Sequence, residues 1–514
     1  MTTNSDLTAT WTYHNSTKHS LQSVRSSRHY LDWNNQPLAF KVYSTLAPLP
    51  LPQDFPPVAL SALSAIADRN ERQEQESTPT LLTLATLLFL SAGITKRRAY
   101  PGGEIYFRAA ACTGALYHID LYLVCGDLPE LPAGVYHFGP HDFSLRCLRT
   151  GDYREVLAEA TEHEQSVSHA PLTIVCTSTY WRNAWKYQAR TYRHCFWDAG
   201  TLIANFLAAA VSLDLPTQVV AGFVDTTVNQ LLDLDTDREV ALALLPLGYP
   251  TQQISAASSD IRPLTLPTVA LSQSEVEYPA IRAMHAASSF TTAAEVTAWR
   301  GIPPKTLDAT TPHGQLFPVP PLAESAPPQL SLDHVIRHRG SSRAFARQPI
   351  TFVQLSTILQ RSTQGVPADF LDPFGTTLTD LYLIVNAVEG IPTGTYVFHR
   401  KHNTIELLRE GEFRREAGHL GLGQELPADA SVDIFCLANL PPILERFGNR
   451  GYRAAQLEAA IIGGKCYLAA YGQHLGATGL TFFDDDVTTF FSPHAAGKSV
   501  MFLTAIGKPA KQRS

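Results

Sequence analysis

The residues best suited to chemistry lie in Arg339-Gly-Ser-Ser-Arg-Ala-Phe345, which places two guanidinium groups and two hydroxyls within five residues. An arginine side chain presents a planar fork of N–H donors that matches phosphate oxygens, and serine hydroxyls with loop N–H groups complete such a cradle. The segment therefore predicts a phosphate-binding loop. A solvated surface loop has the same composition, so the segment alone leaves both interpretations open.

The composition limits the partners of this protein. The chain has 514 residues, which predicts two domains of about 200 residues each, and 45% apolar with 17% charged residues is typical of a soluble globular protein. A net charge of -7 without a basic stripe argues against nucleic acid and against an anionic membrane. We expect a small-molecule partner instead.

The termini and cysteines predict a cytoplasmic protein. The first sixteen residues are polar, no signal-peptide pattern is present, and no apolar stretch is long enough for a bilayer span. The seven cysteines show no CxxC spacing, which argues against a disulfide framework and a zinc site and favours a reducing compartment.

An internal repeat divides the chain. Four motifs recur with a constant offset of 260 residues: Asp120–Val124 with Asp380–Ile384, Gly134–Phe138 with Gly394–Phe398, Arg190–Arg193 with Arg450–Arg453, and Gly222-Phe223 with Phe482-Phe483. The repeat predicts two homologous domains, 1–254 with an extended N-terminal arm and 330–514, that pack as an intrachain pseudo-dimer. The Pro-, Ser-, Ala- and Thr-rich residues 255–329 are predicted to be a linker with short helices such as 280–285.

The elements that must position the chemistry are a series of helices and strands. Apolar runs predict helices at 58–67, 81–92 and 198–213, and strands at 116–125, 134–138, 172–177 and 219–223. Their order predicts an α+β fold in which helices flank a sheet.

Several motifs together resemble a known family. Arg339–Phe345 resembles the opening phosphate-binding motif of nitroreductase-like flavoproteins. Phe447–Arg453 followed by Gln456-Leu-Glu458, and Gly476–Asp485, resemble the SagB-type branch, which contains the thiazoline and oxazoline dehydrogenases of modified-peptide biosynthesis. Trp185-Lys186-Tyr187 and the segments 17–20 and 31–37 fit the same branch. The resemblance implies two fused nitroreductase-like domains with FMN at their interface.

The resemblance also implies which residues bind FMN. The phosphate would be held by Arg339, Ser341 and Arg343 with C-terminal cations, and the flavin ring would face the segment 108–117 of the other half. Backbone near flavin N5 would come from the segment after Gly476. The implied cofactor-binding residues are Arg339, Ser341, Arg343, Ala111, Cys112, Thr113, Gly114, Gly479, Leu480, Thr481, Lys508 and Arg513.

The two halves have diverged in a complementary way. The first half has Asp68-Arg-Asn-Glu-Arg72 where the phosphate motif is expected, and its acidic residues would repel phosphate. The second half has lost the flavin-facing segment in its region 371–378. We therefore predict that each chain has one site that binds FMN and a second, equivalent site that has lost FMN binding. In the working site the Pro-Ser of the family is Ala111-Cys112, and the interpretations of Cys112 are a buried small hydrophobe or a redox thiol.

Lys186 and Tyr187 are the predicted catalytic pair, because a Lys-Tyr pair at this place in azoline dehydrogenases is associated with substrate deprotonation. Aromatising an azoline removes a carbon-bound proton and passes a hydride to flavin N5, and a buried Lys or Tyr can be tuned to act as the base. The second half has Arg446-Phe447 instead. The alternative is an exposed Lys186 in an ion pair and a core Tyr187.

Two further groups are predicted to be structural. Arg190, Tyr192 and Arg193 recur in both halves and are expected to fix a helix start by hydrogen bonds. The run Asp484-Asp485-Asp486 could suggest a cation site, but capping of a helix N-terminus is the preferred interpretation, and no metal site is predicted.

These features predict an FMN-dependent oxidoreductase that converts an azoline to an azole in a modified peptide or related small molecule, with flavin reoxidised by oxygen. Two alternatives remain. One is an NAD(P)H-dependent nitroreductase-like reductase, and the other is a catalytically inactive scaffold of a biosynthetic complex. Further homo-oligomerisation beyond the pseudo-dimer is also compatible with the sequence.

Overall fold

Two antiparallel sheets, each with one long central helix, make up the structure. The computed structural model describes residues 4–67, 76–100, 103–249, 261–300, 314–320, 330–372 and 376–510. Its α-helices are α1 (Thr8–Ser16), α2 (Leu21–Ser26), α3 (Ala62–Ala65), α4 (Leu81–Ala92), α5 (Arg154–Ala160), α6 (Gln165–Ser168), α7 (Tyr180–Tyr187), α8 (Thr191–Ser212), α9 (Asp225–Leu231), α10 (Pro279–Ala287), α11 (Ala293–Trp299), α12 (Leu332–His338), α13 (Phe352–Ser362), α14 (Arg414–Leu420), α15 (Glu425–Asp429), α16 (Leu440–Phe447), α17 (Arg450–Tyr471) and α18 (Asp484–Phe491).

The strands fall into two large sheets and two small ones. They are β1 (Pro48–Pro50), β2 (Ile94–Tyr100), β3 (Gly103–Arg108), β4 (Ile119–Cys125), β5 (Gly134–Gly139), β6 (Ser144–Thr150), β7 (Leu172–Thr179), β8 (Glu239–Leu247), β9 (Gln315–Pro318), β10 (Ile350–Thr351), β11 (Thr379–Val385), β12 (Val388–Glu389), β13 (Gly394–His399), β14 (Thr404–Glu410), β15 (Val432–Ala438), β16 (Gly476–Leu480) and β17 (Ser499–Gly507). The predicted α+β class is confirmed.

The sheets repeat one topology. The first sheet has the order β1-β6-β5-β4-β7-β8, and the second has β16-β17-β15-β11-β13-β14-β9. The repeated motifs occupy equivalent central strands, since β4 pairs with β5 and β7 as β11 pairs with β13 and β15. Strands β4, β7 and β15 are buried along their whole length, which explains their continuous apolar sequences. The edge strand β9 lies within the predicted linker 255–329.

The helices α8 and α17 join the two halves at their centre. A Cβ on Gly200 of α8 would lie 2.5 Å from Ala460 Cβ, and a Cβ on Gly464 of α17 would lie 2.6 Å from Ala204 Cβ. The two contacts are reciprocal, because each glycine faces the alanine at the equivalent position of the other half. Small residues here allow the helices to approach closely, so the repeat packs as an intrachain pseudo-dimer.

A second reciprocal contact lies nearer the N-terminus of each half. Ala62 N–H donates to Leu330 O at 3.0 Å, and Leu332 N–H donates to Leu60 O at 2.9 Å. These bonds hold the starts of α3 and α12 together. Because α12 leads directly into the Arg339 loop, the contact ties that loop to the first half.

Buried ion pairs between the halves lie at the N-terminal ends of α8 and α17. Arg190 Nη1 and Arg193 Nη1 of the first half contact Asp484 at 3.0 and 2.6 Å, while Arg450 Nη1 and Arg453 Nη1 of the second half contact Asp225 at 2.5 and 2.8 Å. Asp225 and Asp484 each begin a helix, and their offset is one residue shorter than the 260-residue repeat. The arginines thus join the halves.

The predicted capping role of Asp484 is wrong. The N-cap of α18 is Phe483, and no side chain caps this helix. The Asp484 carboxylate instead accepts hydrogen bonds from Arg190, Arg193 and the backbone N–H of His19. Two buried guanidinium groups require a carboxylate partner, and this requirement outweighs helix capping.

Other predicted elements differ in detail. The predicted strand 219–223 is absent as a regular strand: Val219 and Val220 form only isolated bridges, to Ala368 and Leu244. The predicted helix 58–67 is reduced to α3. The segment Tyr180–Ser212 is long and apolar enough to cross a membrane, but 89% of its apolar window is buried inside the protein, as in a core helix.

Candidate functional site

The Arg339 loop of the second half rests directly on the first half. Arg339 Nε donates to Ala109 O at 2.9 Å, and Arg339 Nη2 donates to Arg108 O at 3.0 Å. A guanidinium group has five N–H donors, so these two bonds leave donors for an anion. The two predicted parts of the site, the cationic loop and the segment 108–117, therefore meet at one place.

Tyr467 of α17 connects the loop to β16. Its hydroxyl lies 3.2 Å from Ser341 Oγ and accepts a short hydrogen bond from Gly479 N–H. The Arg339 guanidinium lies 5.7 Å from the centre of the Tyr467 ring, in cation–π geometry. Leu207 occupies the equivalent position of the first half and has no hydroxyl. One side chain thus contacts three of the predicted cofactor-binding residues.

The segment that follows β3 is fixed by Asp198 of α8. Thr113 N–H and Thr113 Oγ1 donate to Asp198 Oδ1 at 2.8 and 2.7 Å, and Cys112 Sγ donates to Oδ2 at 3.1 Å. His118 Nε2 lies 2.8 Å from Oδ2. Ala111 O accepts a hydrogen bond from Thr201 Oγ1 at 2.7 Å. A buried carboxylate with this many donors holds the segment in one conformation.

Cys112 has a structural role in this arrangement. Besides donating to Asp198, its sulfur accepts a hydrogen bond from Tyr117 N–H at 3.0 Å. Burial, and then the neighbouring Asp198, raise the pKa of the Cys112 thiol well above its usual value. Because the thiolate is the reactive form, these contacts argue against a redox role.

Gly114 lets Tyr187 approach the segment. Its φ of +64° lies in the left-handed region, and a Cβ at this position would lie 2.8 Å from Tyr187 Oη. Any side chain here would therefore be strained and would displace the phenol. The structure brings Tyr187, predicted to be catalytic, against Gly114, predicted to face the flavin.

Lys186 and Tyr187 lie at the end of α7, and their pKa values move in opposite directions. Burial, and then the positive charge of Arg343, lower the pKa of Lys186. Burial raises the pKa of Tyr187. The Lys186 ammonium lies 5.4 Å from the centre of the Tyr187 ring. The neutral amine form of Lys186 is thus more populated than that of a lysine in water at the same pH, while Tyr187 remains protonated and can donate a hydrogen bond.

The remaining predicted residues lie around the same loop. Lys508 O accepts a hydrogen bond from Ala346 N–H at 2.9 Å, just after Arg343. Leu480 at the end of β16 packs beside Phe345. The structure brings all the predicted site residues into this region except Arg513, which lies outside the described residues together with Lys511.

The unsatisfied polar groups of this region fit a flavin phosphate and ring. Ser342 Oγ and Thr481 Oγ1 are buried and have no hydrogen-bond partner among the described residues. The side chains of Arg343 and Lys508 form no hydrogen bond or ion pair with a described residue. Cations and hydroxyls of this kind suit a phosphate dianion, and a threonine hydroxyl suits a polar ring edge. The residues present therefore fit FMN.

The equivalent place in the other half is covered by the chain itself. Val219–Ala221 correspond to Gly479–Thr481 in the repeat. There Asp369 Oδ1 and Oδ2 accept hydrogen bonds from Ala221 N–H at 2.9 Å and Gly222 N–H at 2.8 Å, and Asp369 N–H donates to Val219 O. The region 68–72, predicted to repel phosphate, lies outside the described residues.

Aromatic side chains complete this cover. Trp299 lies against Gly222, where a Cβ on the glycine would approach the indole ring to 3.1 Å. The Trp299 ring also neighbours Phe370 and Phe447, and all three side chains are buried. Burial raises the pKa of Asp369 to about 6. Described side chains thus occupy the surface that the resemblance would assign to a second flavin.

Three contacting residues were missed from the sequence. Ser342 lies inside the recognised motif but was not selected. Asp198 could have been found because the repeat places it opposite another acid, Glu458. In the structure Glu458 has a similar role, since it accepts hydrogen bonds from Leu378 N–H at 2.9 Å and Thr379 Oγ1 at 3.0 Å. Tyr467 could have been found as a hydroxyl present in only one half.

Comparison with known proteins relates the first half of the chain to a known family. Residues 33–249 match the nitroreductase family. The chain carries a nitroreductase-family domain. A crystal structure of a nitroreductase-like protein from Anabaena variabilis is similar over both halves, with a TM-score of 0.77, 26% sequence identity and coverage of 98% of this chain and 99% of that one. The predicted tandem nitroreductase-like fold is confirmed.

Two curated relatives of this chain match shorter stretches. A nitroreductase-like protein of Methanocaldococcus jannaschii is 27% identical over 162 residues, covering 32% of this chain and 77% of the relative. The microcin B17-processing protein McbC of Escherichia coli is 26% identical over 144 residues, covering 27% of this chain and 49% of McbC. The match spans about half the length of McbC, and it confirms the predicted SagB-type resemblance.

Proposed function

We propose that this nitroreductase-family protein binds one FMN per chain and oxidises an azoline heterocycle in a modified peptide to the azole. One observation carries the proposal: Arg339 of the second half donates to the carbonyls of Arg108 and Ala109 in the first half. The contact joins a cation-rich loop to the segment that ends beside Lys186 and Tyr187. A candidate phosphate-binding loop, a segment that would face the flavin ring and a candidate base therefore lie in one region.

The phosphate end of the site is built from the second half. Arg343 and Lys508 bring positive charge that no described acidic group neutralises, which suits a dianion. Tyr467 holds Ser341 and Gly479 together, so that loop and strand keep a fixed spacing. Binding energy at the phosphate can then orient the distant reacting atoms.

The chemical end of the site is built from the first half. Bound FMN supplies a two-electron acceptor for the hydride equivalent that leaves the azoline ring carbon. Lys186, whose pKa is lowered by burial and by Arg343, takes the proton from the adjacent ring atom in its neutral amine form. Tyr187 remains protonated, because burial raises its pKa, and its hydroxyl orients the heterocycle. One proton and one hydride leave, and the ring becomes aromatic.

The peptide nature of the substrate is supported by the similarity to McbC, which is named as a microcin B17-processing protein. The single site is supported by Asp369, Trp299 and Phe370, which cover the equivalent region of the other half.

The proposal is tested with purified full-length protein. An oxidised flavin spectrum is expected, together with a mass loss of two hydrogens when a synthetic thiazoline peptide is incubated with the protein in air. Rapid bleaching of the flavin by NAD(P)H without oxidation of the peptide would assign the protein to the reductases. Protein that binds no flavin even with excess FMN would contradict both enzyme functions and favour a scaffold.

A further inference from the structure

The hairpin formed by β2 and β3 stands apart from both large sheets and has no counterpart among the described residues of the second half. Its two strands pair only with each other among the described residues. Residues 93–118 separate α4 from β4, whereas the shorter segment 363–378 separates the equivalent α13 and β11. In the second half, part of that segment folds back so that Ala368 bridges Val219. The hairpin is thus an extra element of the half that carries Lys186 and Tyr187.

One face of the hairpin combines positive charge with apolar surface. The strand register places Lys96, Arg98 and Tyr100 on the same face as Ile105, because Arg98 pairs with Ile105. Tyr100 is 50% exposed and Ile105 is 43% exposed. Neither Lys96 nor Arg98 forms a hydrogen bond or ion pair with a described residue. We call this surface the cationic hairpin face.

Part of the opposite face packs against the protein. Tyr106 packs edge-on against Phe40 at a ring distance of 5.1 Å, and Arg97 lies over Tyr106 at 5.7 Å. The N-terminal arm therefore supports the hairpin from behind and leaves the cationic hairpin face open. A supported face with outer strand edges that pair with no described strand can accept another extended chain through backbone hydrogen bonds.

The base of the hairpin is part of the candidate site. Ala109 N–H donates to Gly93 O at 2.9 Å, which closes the base. Arg108, the last residue of β3, accepts the hydrogen bond of Arg339 through its carbonyl. A peptide bound along the hairpin would therefore end close to the Arg339 loop and to residues 111–114, which are predicted to face the flavin.

We propose that the cationic hairpin face docks an extended acidic stretch of the substrate peptide, and so presents a neighbouring heterocycle to the site. The inference rests on the proposed function, because it takes the substrate to be a peptide. The charge of the face indicates the occupant. Two cations on one strand face, neither of which pairs with a described residue, complement acidic side chains at alternate positions of an extended partner. Tyr100 and Ile105 contribute apolar contact between them.

The test measures binding to the full-length protein by fluorescence anisotropy of a labelled decapeptide that alternates Glu and Ser. Wild-type protein is expected to bind it at low salt. The same peptide with Gln in place of Glu should bind about tenfold more weakly, and the double variant Lys96→Glu, Arg98→Glu should lose about tenfold in affinity. The matched control Lys401→Glu, Arg415→Glu changes the net charge equally on the exposed surface of the second half and should retain affinity.

Equal affinity of wild type and the hairpin variant would overturn the docking proposal. So would equal binding of the Glu and Gln peptides, or tighter binding of labelled oligothymidine, which would assign the face to nucleic acid. Flavin absorbance per chain is recorded on the same samples. Acidic-peptide binding by protein that takes up no FMN would support the docking face while contradicting the proposed flavin chemistry, so the two failures are distinguishable.

Discussion

Arg339 Nη2 lies 3.0 Å from the carbonyl oxygen of Arg108, and this hydrogen bond joins two halves of one chain at the candidate flavin site. Arg339 follows α12 in the second half, and Arg108 ends β3 in the first. The contact brings together the predicted phosphate-binding motif and the segment that was predicted to face the flavin ring, which come from different halves. A duplicated chain can therefore build one complete site from two incomplete ones.

Removing the two arginines of the proposed phosphate-binding loop is expected to abolish flavin binding. The double variant Arg339→Ala, Arg343→Ala removes the two guanidinium groups nearest the proposed phosphate, and buried or partly buried charge-assisted hydrogen bonds are worth about 1.5–3 kcal/mol each. FMN content per chain, read from absorbance after desalting, should fall close to zero. The variant Arg347→Ala, at an exposed arginine that pairs with Asp429, serves as the control. Retention of full flavin by the double variant would refute the assignment of the phosphate end.

Loss of the Tyr467 hydroxyl should loosen flavin binding without unfolding the protein. Tyr467→Phe keeps the ring beneath Arg339 but removes the bonds to Ser341 and Gly479. Each lost hydrogen bond costs about 1 kcal/mol, so we expect FMN to dissociate about tenfold more readily. Fluorescence titration of the apoprotein measures the change. Tyr382→Phe, which removes a hydroxyl bonded to Lys498 and His494 in the core of the same half, provides the control.

Lys186 should determine the pH dependence of peptide oxidation. Because burial and Arg343 lower its pKa below the ordinary 10.5, the neutral base forms at lower pH than in water. The rate of substrate-driven flavin reduction should therefore rise with pH and level off below pH 10.5. Lys186→Met should lose this inflection and about 100-fold or more in rate while retaining FMN.

The pseudo-symmetric variant Arg446→Met is the control for Lys186, since it changes the equivalent position of the other half. It should leave rate and pH profile unchanged. An unaltered pH profile in Lys186→Met would exclude this amine as the base.

Asp225 and Asp484 should each stabilise the joined halves. Burial opposes their ionisation, but the paired arginines outweigh it and lower both carboxyl pKa values from 3.8 to about 2. Their contribution is therefore complete above pH 3.8 and is lost as the pH falls through 2. Asp484→Asn leaves Arg190 and Arg193 buried without a carboxylate and should cost about 3–5 kcal/mol of unfolding free energy at pH 7. Denaturant unfolding measures this loss, and a change below 1 kcal/mol, about the value of an exposed pair, would contradict it.

The sequence predicted the repeat and the strands because both have strong local signals. Asp120–Val124 and Asp380–Ile384 lie in equivalent central strands, as their constant offset required. The strand predicted at 219–223 failed because Asp369 and Trp299, distant in sequence, pack there and leave only isolated bridges. Residue preference along the chain carries no information about such a partner.

Sequence motifs pointed to the segments of the candidate site but not to the side-chain hydrogen bonds that link them. Arg339 and Cys112 were recognised by motif, whereas the roles of Tyr467 and Asp198 depend on side-chain hydrogen bonds between distant segments. The sequence left the role of the Cys112 thiol open, and in the structure the thiol donates to Asp198. Asp484 was expected to cap its helix, and it pairs instead with arginines contributed by the other half. The contacts of Asp484 join the two halves, whereas those of Asp198 join distant segments of the first half.

The stoichiometry of flavin binding tests the central claim most directly. Apoprotein titrated with FMN and followed by flavin fluorescence and by native mass spectrometry should saturate at one FMN per chain, because Asp369, Trp299 and Phe370 cover the equivalent region of the other half. Saturation at two FMN per chain, or one FMN that persists in the Arg339→Ala, Arg343→Ala variant, would contradict the account of a single site shared between the halves.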